Sequence, residues 1–589
     1  MRSKELSLRG LAGVVVAIAL VVAVALVPLN CTGSPAADDL SPEDGGEAPQ
    51  LSGTVADYEE LALDYVAQTH GLQRDRLKLV HHSVATTQSH GDIWCGRVLD
   101  LDSYNIYDIC FSDSDVPVDL DTIVQQEKQG HKDERGKIAD DYSWQRFQQL
   151  EPDEVVRVGI WLVCLDREWL DIVTEILSTY PPEIREKLKY GSATTDDLRE
   201  DPSLHEWEIK LERDKEEALK QKYAVSEDPV VGFLEDRGCP IVYVSEYAPL
   251  IFAEVTKEVI VQLGEREDVT GIYMDDIEYE LAQNTAVLTE RADVVWGRGI
   301  TGADYGHRVA VVEQDGIEFS NPNLANGQYC HPTYPNIGAH ATAVAGIIAS
   351  TDATYRGVAP GVPALLSANS LSGHSSDLID ASEWAMNNDA WILNYSVGAD
   401  TSQQMRLLDR YLDHVVYWHS RSITVAAGND AGAWGSRTGN VNSPGLGWNV
   451  MTVGSINDDD TSSSWGDDEM SDFSSYVDPI SPHNDKEKPE VVAVGDGPGY
   501  NMSGLTTADP WIGSIGAGTS FAAPAVAGEA ALLMDRNDSL FNKPEAVKAI
   551  IMVSAVHNIE GDLPLSDRDG AGAIACSKAD DIVTGNKWS

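Results

Sequence analysis

The stretch Gly516-Ala517-Gly518-Thr519-Ser520-Phe521-Ala522-Ala523-Pro524-Ala525-Val526-Ala527-Gly528 decides how the rest of this chain is interpreted. Small apolar residues continue from it to Met534, broken only by Glu529. The pattern predicts a tight turn that opens into a helix buried on nearly every side, with Pro524 in the first turn. Ser520 then lies at the positive end of the helix dipole, where a neighbouring base would make it a nucleophile. A serine before a helix is more often only a cap, so the chemistry depends on the groups found upstream.

Two upstream segments supply those groups. His340 opens the run His340-Ala341-Thr342-Ala343-Val344-Ala345-Gly346, and Asn429 ends the run Val425-Ala426-Ala427-Gly428-Asn429. Together with the serine stretch, they resemble the motifs of the subtilisin-like (subtilase) serine peptidases, with Ala341 in place of the usual glycine. The resemblance implies that His340 is the general base for Ser520. It also implies that the Asn429 amide and the Ser520 backbone N–H stabilise the oxyanion.

The acid of the triad is where the chain departs from the family. The family pattern has an aspartate directly after the first strand, and this chain has Val309-Ala310-Val311-Val312-Glu313-Gln314-Asp315-Gly316. Counting from the strand favours Glu313, and counting back from Gly316 favours Asp315. Because a strand is rigid and a turn can absorb an insertion, we expect Glu313 to be the acid, with Asp315 as the alternative.

The substrate contacts are likewise implied by the resemblance. The segment Leu393-Asn394-Tyr395-Ser396-Val397-Gly398 is similar to the family strand that pairs with a bound peptide and lines the S1 pocket. We therefore expect Ser396, Val397 and Gly398 to bind a polypeptide substrate.

The fold class predicted for residues 295–585 is α/β, a parallel sheet with helices on both faces, as in subtilisin. Short, nearly continuous apolar runs alternate with helical patterns there, which is typical of buried parallel strands. We expect the active site at the carboxyl ends of those strands. The predicted strands are Arg308–Val312, Ala364–Ala368, Trp391–Tyr395, Ile423–Ala427, Val450–Val453 and Val491–Val494.

Residues 154–285 form a separate predicted module. The order β-α-β-β-α-β is the split βαβ, ferredoxin-like arrangement, with a charged helical insertion at 196–224 that we expect to be solvated. This pattern resembles the inhibitory prodomain of subtilases, so the chain's own prodomain is an expected partner. The alternative is a regulatory module that is never removed. If the chain is a zymogen, self-cleavage is expected between about Leu281 and Val295.

Residues 53–150 predict a smaller α+β module of one helix and three strands. It carries no catalytic constellation, and its role stays open between assistance in folding, inhibition, docking of one partner protein and simple structure. The Pro-, Gly- and acid-rich residues 32–52 predict a flexible linker. Cys95 and Cys110 lie on two predicted neighbouring strands and are the expected disulfide.

The pattern of residues 1–31, at the N-terminus, is typical of a targeting segment. Basic residues precede an uncharged apolar run at 11–27. This run is long for a signal peptide and slightly short for a membrane span, so a cleaved signal, an uncleaved anchor and lipid attachment at Cys31 all stay open. Each of them places the rest of the chain outside the cytoplasm.

The composition excludes one class of partner. Ninety-five acidic against 42 basic residues give a formal net charge of −53, which repels nucleic acid and anionic membranes. No cofactor is expected, although Asp458-Asp459-Asp460 and Asp467-Asp468-Glu469 could supply oxygens to calcium, as often happens in subtilases.

The expected function is thus an exported serine endopeptidase that is made as a zymogen. The substituted acid motivates an alternative, a catalytically impaired subtilase fold that serves as a peptide-binding or adhesion module.

Overall fold

The computed structural model describes the chain from residue 55 to residue 587, so the predicted targeting segment and linker lie outside the described residues. Within that range it leaves out 88–90, 102, 104, 113–115, 121, 124–125, 127–134, 164–168, 190–200, 202, 277–279, 282–288, 304–305, 307, 326, 433–437, 459–467, 480–486, 498–499, 501, 557–567 and 586.

The first module, residues 55–118, is a helix on an antiparallel sheet. Its elements are α1 (Val55–His70), β1 (Leu77–Thr87), β2 (Gly91–Asp100), β3 (Ile106–Phe111) and β4 (Pro117–Val118), with the strands in that order across the sheet. Tyr58 of α1 packs against Trp94 and Phe111. Cys95 and Cys110 lie directly opposite each other on β2 and β3 and form the predicted disulfide. The fourth strand was not predicted, because two residues are too few to show alternation.

The second module, residues 137–276, is built on another four-stranded antiparallel sheet. Its strands are β5 (Val155–Leu162), β6 (Ile241–Val244), β7 (Leu250–Thr256) and β8 (Val269–Met274), and their order across the sheet is β6-β7-β5-β8. Its helices are α2 (Asp141–Gln149), α3 (Trp169–Leu177), α4 (Pro182–Lys187), α5 (Leu204–Glu235) and α6 (Lys257–Gly264). Helix α2 packs beside β8, so residues 137–149, which we had grouped with the first module, pack with this second sheet.

Helix α5 corrects the expectation of a solvated insertion. Its 32 residues bury one continuous face, formed by Leu204, Glu208, Leu211, Glu212, Lys215, Leu219, Tyr223, Glu227, Val230 and Leu234. The charges on that face are the reason why the sequence predicts a solvated segment. Lys215 pairs with Glu212 within the helix, and the face is covered by more distant residues, which include Ser420, Asn542 and Lys543.

The parallel-sheet region, residues 289–585, contains all six predicted strands. They are β10 (Arg308–Glu313), β12 (Leu365–Asn369), β13 (Ala390–Tyr395), β15 (Ser422–Ala426), β16 (Met451–Asn457) and β18 (Val491–Asp496), paired in parallel in the order β12-β10-β13-β15-β16-β18. The shorter strands are β11 (Gln328–Tyr329), β14 (Val397–Gly398), β17 (Glu469–Met470), β19 (Met502–Leu505) and β20 (Ile512–Gly516), and β9 (Glu280–Leu281) lies in the segment that connects the second module to this region. The helices are α7 (Ala292–Gly297), α8 (Ala339–Ala349), α9 (Ser375–Asn387), α10 (Leu407–His419), α11 (Thr519–Arg536), α12 (Pro544–Ser554) and α13 (Cys576–Thr584).

Helix α11 is buried as predicted but begins earlier than expected. Every residue from Thr519 to Met534 is buried, because small side chains allow neighbouring strands and helices to approach on all sides. Pro524 is therefore the sixth helical residue and does not lie in the first turn. Since proline has no N–H, the carbonyl of Ser520, four residues earlier, receives no helical hydrogen bond from it.

Among the described residues, none of the helices has the length and apolar character needed to cross a bilayer.

Candidate active site

Ser520 and His340 occupy equivalent places on two buried helices. Each is the second residue of its helix, α11 and α8 respectively. Ser520 is 2% exposed and His340 is 4% exposed. The His340 ring lies 5.0 Å from the ring of Phe521, measured between centroids. The base candidate and the nucleophile candidate are thus brought together at the amino ends of two packed helices, where the helix dipoles favour developing negative charge.

Glu313 reaches the base candidate from the sheet. It is the last residue of β10, is fully buried, and places its Oε1 3.1 Å from His340 Nδ1. The distance is that of a hydrogen bond, although the N–H alignment is imperfect, as is common in unliganded sites. Burial raises the pKa of the Glu313 carboxyl, and the nearby His340 offsets part of that rise. The contact lets Glu313 orient the imidazole so that its Nε2 faces away from β10.

Asp315, the alternative acid, lies in the turn after β10. It is half-buried and accepts a hydrogen bond from the side-chain amide of Asn336. A Cβ at Gly338 would come within 2.4 Å of the Asp315 Cβ, so Asp315 packs against the residue that precedes α8. Burial raises the pKa of Asp315 above its ordinary value. The geometry therefore favours Glu313 as the group that contacts His340 Nδ1.

Asn429 is fixed by the turn that leads into Ser520. Its Oδ1 accepts from the Thr519 backbone N–H at 2.9 Å and from the Thr519 hydroxyl at 3.0 Å. A backbone N–H can only donate, so the Asn429 oxygen must face Thr519. The Asn429 Nδ2 consequently points away from Thr519 and can donate to a developing oxyanion.

A chain of buried hydrogen bonds holds the backbone carbonyl of the nucleophile candidate. Ser396 Oγ donates to the Ser520 carbonyl at 2.5 Å, which satisfies the acceptor that Pro524 leaves without a helical partner. Asn394 Nδ2 donates to Ser396 Oγ at 2.8 Å, and Thr424 Oγ1 donates to Asn394 Oδ1 at 3.0 Å. These side chains come from β13, its extension and β15, so the sheet itself positions Ser520.

The strand expected to bind substrate is already paired in this structure. Val397 and Gly398, which form β14, lie antiparallel to β9, with Leu281 opposite Val397 and Glu280 opposite Gly398. The chain that follows the second module therefore runs along the proposed substrate strand as a bound peptide would.

The predicted acidic calcium run is only partly within the described residues. Asp458 accepts from the Thr289 hydroxyl at 2.7 Å, and 459–467 lie outside the description. The described residues contain no group of three or more His, Cys, Asp or Glu side chains arranged to hold a metal. A calcium site thus remains an untested prediction.

Sequence reasoning missed the supporting residues Asn394, Thr424 and Thr519 and the side-chain role of Ser396. One signal was available, because Pro524 four residues after Ser520 implies a helical carbonyl that needs another donor. Asn394 and Ser396 also share one face of the extended segment. Nothing local indicated that Thr424, 30 residues away, would complete the chain.

The chain is similar to known serine proteases. The model of the Subtilase family matches residues 267–572, about half of the chain. The serine protease AprX of Bacillus subtilis (strain 168) is 30% identical over 342 residues, which cover 51% of this chain and 72% of that protein. Subtilisin E of the same organism is 27% identical over 325 residues, covering 52% and 76%.

Two solved protease structures are also similar to part of this chain. The prenylagaramide maturation protease PagA is 26% identical with a TM-score of 0.38, covering 50% of this chain and 99% of that one. The epidermin leader peptide processing serine protease EpiP from Staphylococcus aureus is 18% identical with a TM-score of 0.43, covering 60% and 96%.

Proposed function

The chain belongs to the subtilase family of serine endopeptidases, and we propose that it is exported and made as a zymogen that cuts itself. In this proposal Ser520 forms the acyl-enzyme, His340 is the general base and Glu313 is the acid of the triad. The second module blocks the cleft until the chain is cut.

The chemistry follows from the contacts around Ser520. Its Oγ attacks the scissile carbonyl while His340 Nε2 takes the hydroxyl proton, and Glu313 stabilises the imidazolium through Nδ1. The Asn429 amide and the Ser520 N–H bind the oxyanion. The tetrahedral intermediate collapses to an acyl-enzyme as His340 gives the proton to the leaving amine. A water molecule then attacks the acyl-enzyme while His340 takes its proton, and His340 returns that proton to Ser520 Oγ as the carboxylic acid product leaves. None of these steps needs a cofactor.

The pairing of β9 with β14 is the observation that carries the zymogen proposal. An antiparallel partner on Val397 and Gly398 occupies the backbone hydrogen bonds that a substrate peptide would use. The partner here is Glu280–Leu281, at the end of the second module, so the chain covers its own cleft. Since Thr289 is 2% exposed and Glu290 is 1% exposed, both held in the parallel-sheet region, we place the cut after Leu281 and before Thr289.

The seating of the second module beside the cleft supports the same proposal. Asp275 accepts from the Ser375 backbone N–H at 3.1 Å and so caps α9. Glu383, in the same helix, is fully buried and accepts from the Tyr243 hydroxyl at 2.5 Å and from the Glu246 N–H at 2.9 Å. These contacts hold the module against α9, which follows the carboxyl end of β12.

Export rests on the sequence alone. The apolar run at 11–27 acts as a signal or as a membrane anchor, and the disulfide between Cys95 and Cys110 suits an oxidising compartment. The expected substrates are polypeptides outside the cytoplasm.

Intact mass of the purified chain tests the proposal, with wild type beside Ser520→Ala. We expect the wild type as two fragments cut between residues 281 and 289 and the variant as one uncut chain. The wild type should also react with a serine-directed fluorophosphonate. A wild type that stays whole and fails to react would contradict the proposal and favour the peptide-binding alternative.

A further inference from the structure

Helix α5 attaches the second module to the parallel-sheet region at a place remote from the cleft. Its partners there are Asn387, just before β13, and Ser420 and Arg421, just before β15. The cleft residues Ser396 and Asn429 follow the same two strands. A five-residue strand is about 16 Å long, so α5 binds at the opposite edge of the sheet from Ser520.

The centre of this contact is a buried ionic cluster. Lys215 of α5 is 1% exposed, and its Nζ lies 2.5 Å from a Glu212 carboxylate oxygen and 3.1 Å from Ser420 Oγ. Glu212 in turn accepts from Asn542 Nδ2 at 3.3 Å. A buried ammonium group is tolerated only when it is paired and hydrogen-bonded, so Lys215 requires Glu212 and Ser420 together.

Further pairs extend the contact along both directions of α5. Toward its start, Lys543 lies 3.7 Å from the fully buried Glu208. Arg421 forms an ion pair with Glu216. Toward its middle, the Tyr223 hydroxyl lies 3.0 Å from His414 Nε2, and Tyr223 packs with Leu219 against Trp418. The face combines apolar burial with charge pairing over several turns of the helix.

We propose that α5 is a permanent anchor, which keeps the N-terminal part of the chain bound to the peptidase after the chain has been cut. The proposal rests on the self-processing proposed above. Because the anchor lies at the opposite sheet edge from the cleft, the peptide at 280–281 can leave the substrate strand while the module stays attached. The mature enzyme is then a two-chain assembly that retains the first module as well.

The anchor is tested without relying on self-processing. The recognition sequence of a site-specific endoprotease is inserted after residue 285 of the full chain that carries Ser520→Ala. The purified protein is cut, diluted to nanomolar concentration and analysed by size-exclusion chromatography with intact mass. We expect the two fragments to elute together. Separation of the parent fragments would overturn the proposal.

Lys215→Glu tests the ionic cluster itself, because it places a new carboxylate beside Glu212. The variant loses the contact of Lys215 with Ser420 and leaves two unpaired carboxylates of α5 buried in the associated state, so the association of the fragments should weaken about 100-fold or more. Arg213→Glu is the matched control, since it makes the same charge reversal on the exposed side of α5, and it should change the association less than about threefold. Equal effects of the two variants would contradict the anchor.

Folding of each variant is checked by thermal unfolding before the chain is cut. If Lys215→Glu does not fold, Lys215→Met keeps the apolar stem and removes only the charge, and it should still weaken association at least tenfold. An unchanged association in Lys215→Met would count against the anchor.

The self-cut wild type gives a second measurement. We expect its N-terminal fragment to co-elute with peptidase whose Ser520 reacts with fluorophosphonate. Reaction only after the fragment has dissociated would refute the retained assembly. A wild type that is never cut would contradict self-processing alone, because the inserted site still reports on the anchor.

Discussion

The two edges of the parallel sheet use buried polar groups in different ways. At the carboxyl edge, Glu313 is buried beside a histidine whose charge changes during the proposed reaction, and Asn429 keeps its amide group available. At the amino edge, Lys215 and Glu212 are buried against each other and against Ser420. The first arrangement leaves hydrogen-bonding capacity for a substrate, and the second consumes it within the protein. Substitutions at the carboxyl edge should therefore change turnover, and those at the amino edge should change assembly.

Among these substitutions, Glu313→Gln is expected to cause the largest loss of turnover. The amide keeps the size of the side chain but can favour the wrong tautomer of His340, so kcat should fall about 10⁴-fold. Steady-state hydrolysis of a short peptide measures this, after each variant has been cut at an endoprotease site inserted after residue 285 so that processing does not depend on its own activity. Asp315→Asn is the matched variant and should lower kcat less than about tenfold, and the reverse order of the two effects would make Asp315 the acid.

Asn429→Asp separates the two ends of one side chain. The carboxylate still accepts from Thr519, so the turn is kept, while the donor to the oxyanion is lost. We expect kcat to fall about 10²–10³-fold with little change in KM, which is the range known for the equivalent loss in subtilisin, a relative of this chain. Thr519→Ser, which keeps both donors to Asn429, should stay within a few fold of wild type. A change in KM with no change in kcat would contradict the assigned role.

Ser396→Ala tests whether the sheet positions the nucleophile through the carbonyl of Ser520. Removing the hydroxyl leaves that buried carbonyl without the donor that replaces the proline N–H. A lost hydrogen bond of this kind is worth about 1–1.5 kcal/mol, so kcat should fall about tenfold while KM is kept, because the backbone of the substrate strand is unchanged. Ser402→Ala on the exposed loop nearby is the control. A change confined to KM would indicate a substrate contact instead.

The last effect is on stability and not on turnover, and it concerns a buried carboxyl that belongs to neither edge. Glu529 of α11 is fully buried, and burial raises its pKa to about 8. Burial also raises the pKa of the nearby Glu290. Between about pH 4.5 and pH 8 the native chain keeps the Glu529 proton and the unfolded chain releases it. This group therefore lowers the free energy of unfolding by about 1.4 kcal/mol for each pH unit over that range.

Glu529→Gln should remove that pH dependence. Denaturant unfolding of the Ser520→Ala chain at pH 5, 6, 7 and 8 measures it, with the exposed Glu217→Gln as the control. If the stability difference between Glu529→Gln and its parent is the same at every pH, the carboxyl does not hold a proton in the native state.

The sequence by itself determined the parts of this protein whose chemistry is local. The serine stretch, the His340 run and the segment ending in Asn429 each combine a reactive residue with its own turn or helix start. The resemblance to subtilases, the parallel sheet and its six strands could therefore be predicted. The pairing of Cys95 with Cys110 was predictable for the same reason, since both lie on strands joined by one short connection.

Tertiary structure alone decided what depends on partners far apart in the chain. Which of Glu313 and Asp315 contacts His340 Nδ1 depends on how the end of β10 is set against α8, because both counts fitted the sequence. The earlier start of α11 required Ser396 to supply the hydrogen bond that Pro524 cannot. The burial of α5 required Ser420, Asn542 and Lys543, more than 200 residues away. From the sequence alone, a charged side chain is expected to face solvent. Only the folded chain brings its partners within hydrogen-bonding distance and allows it to be buried.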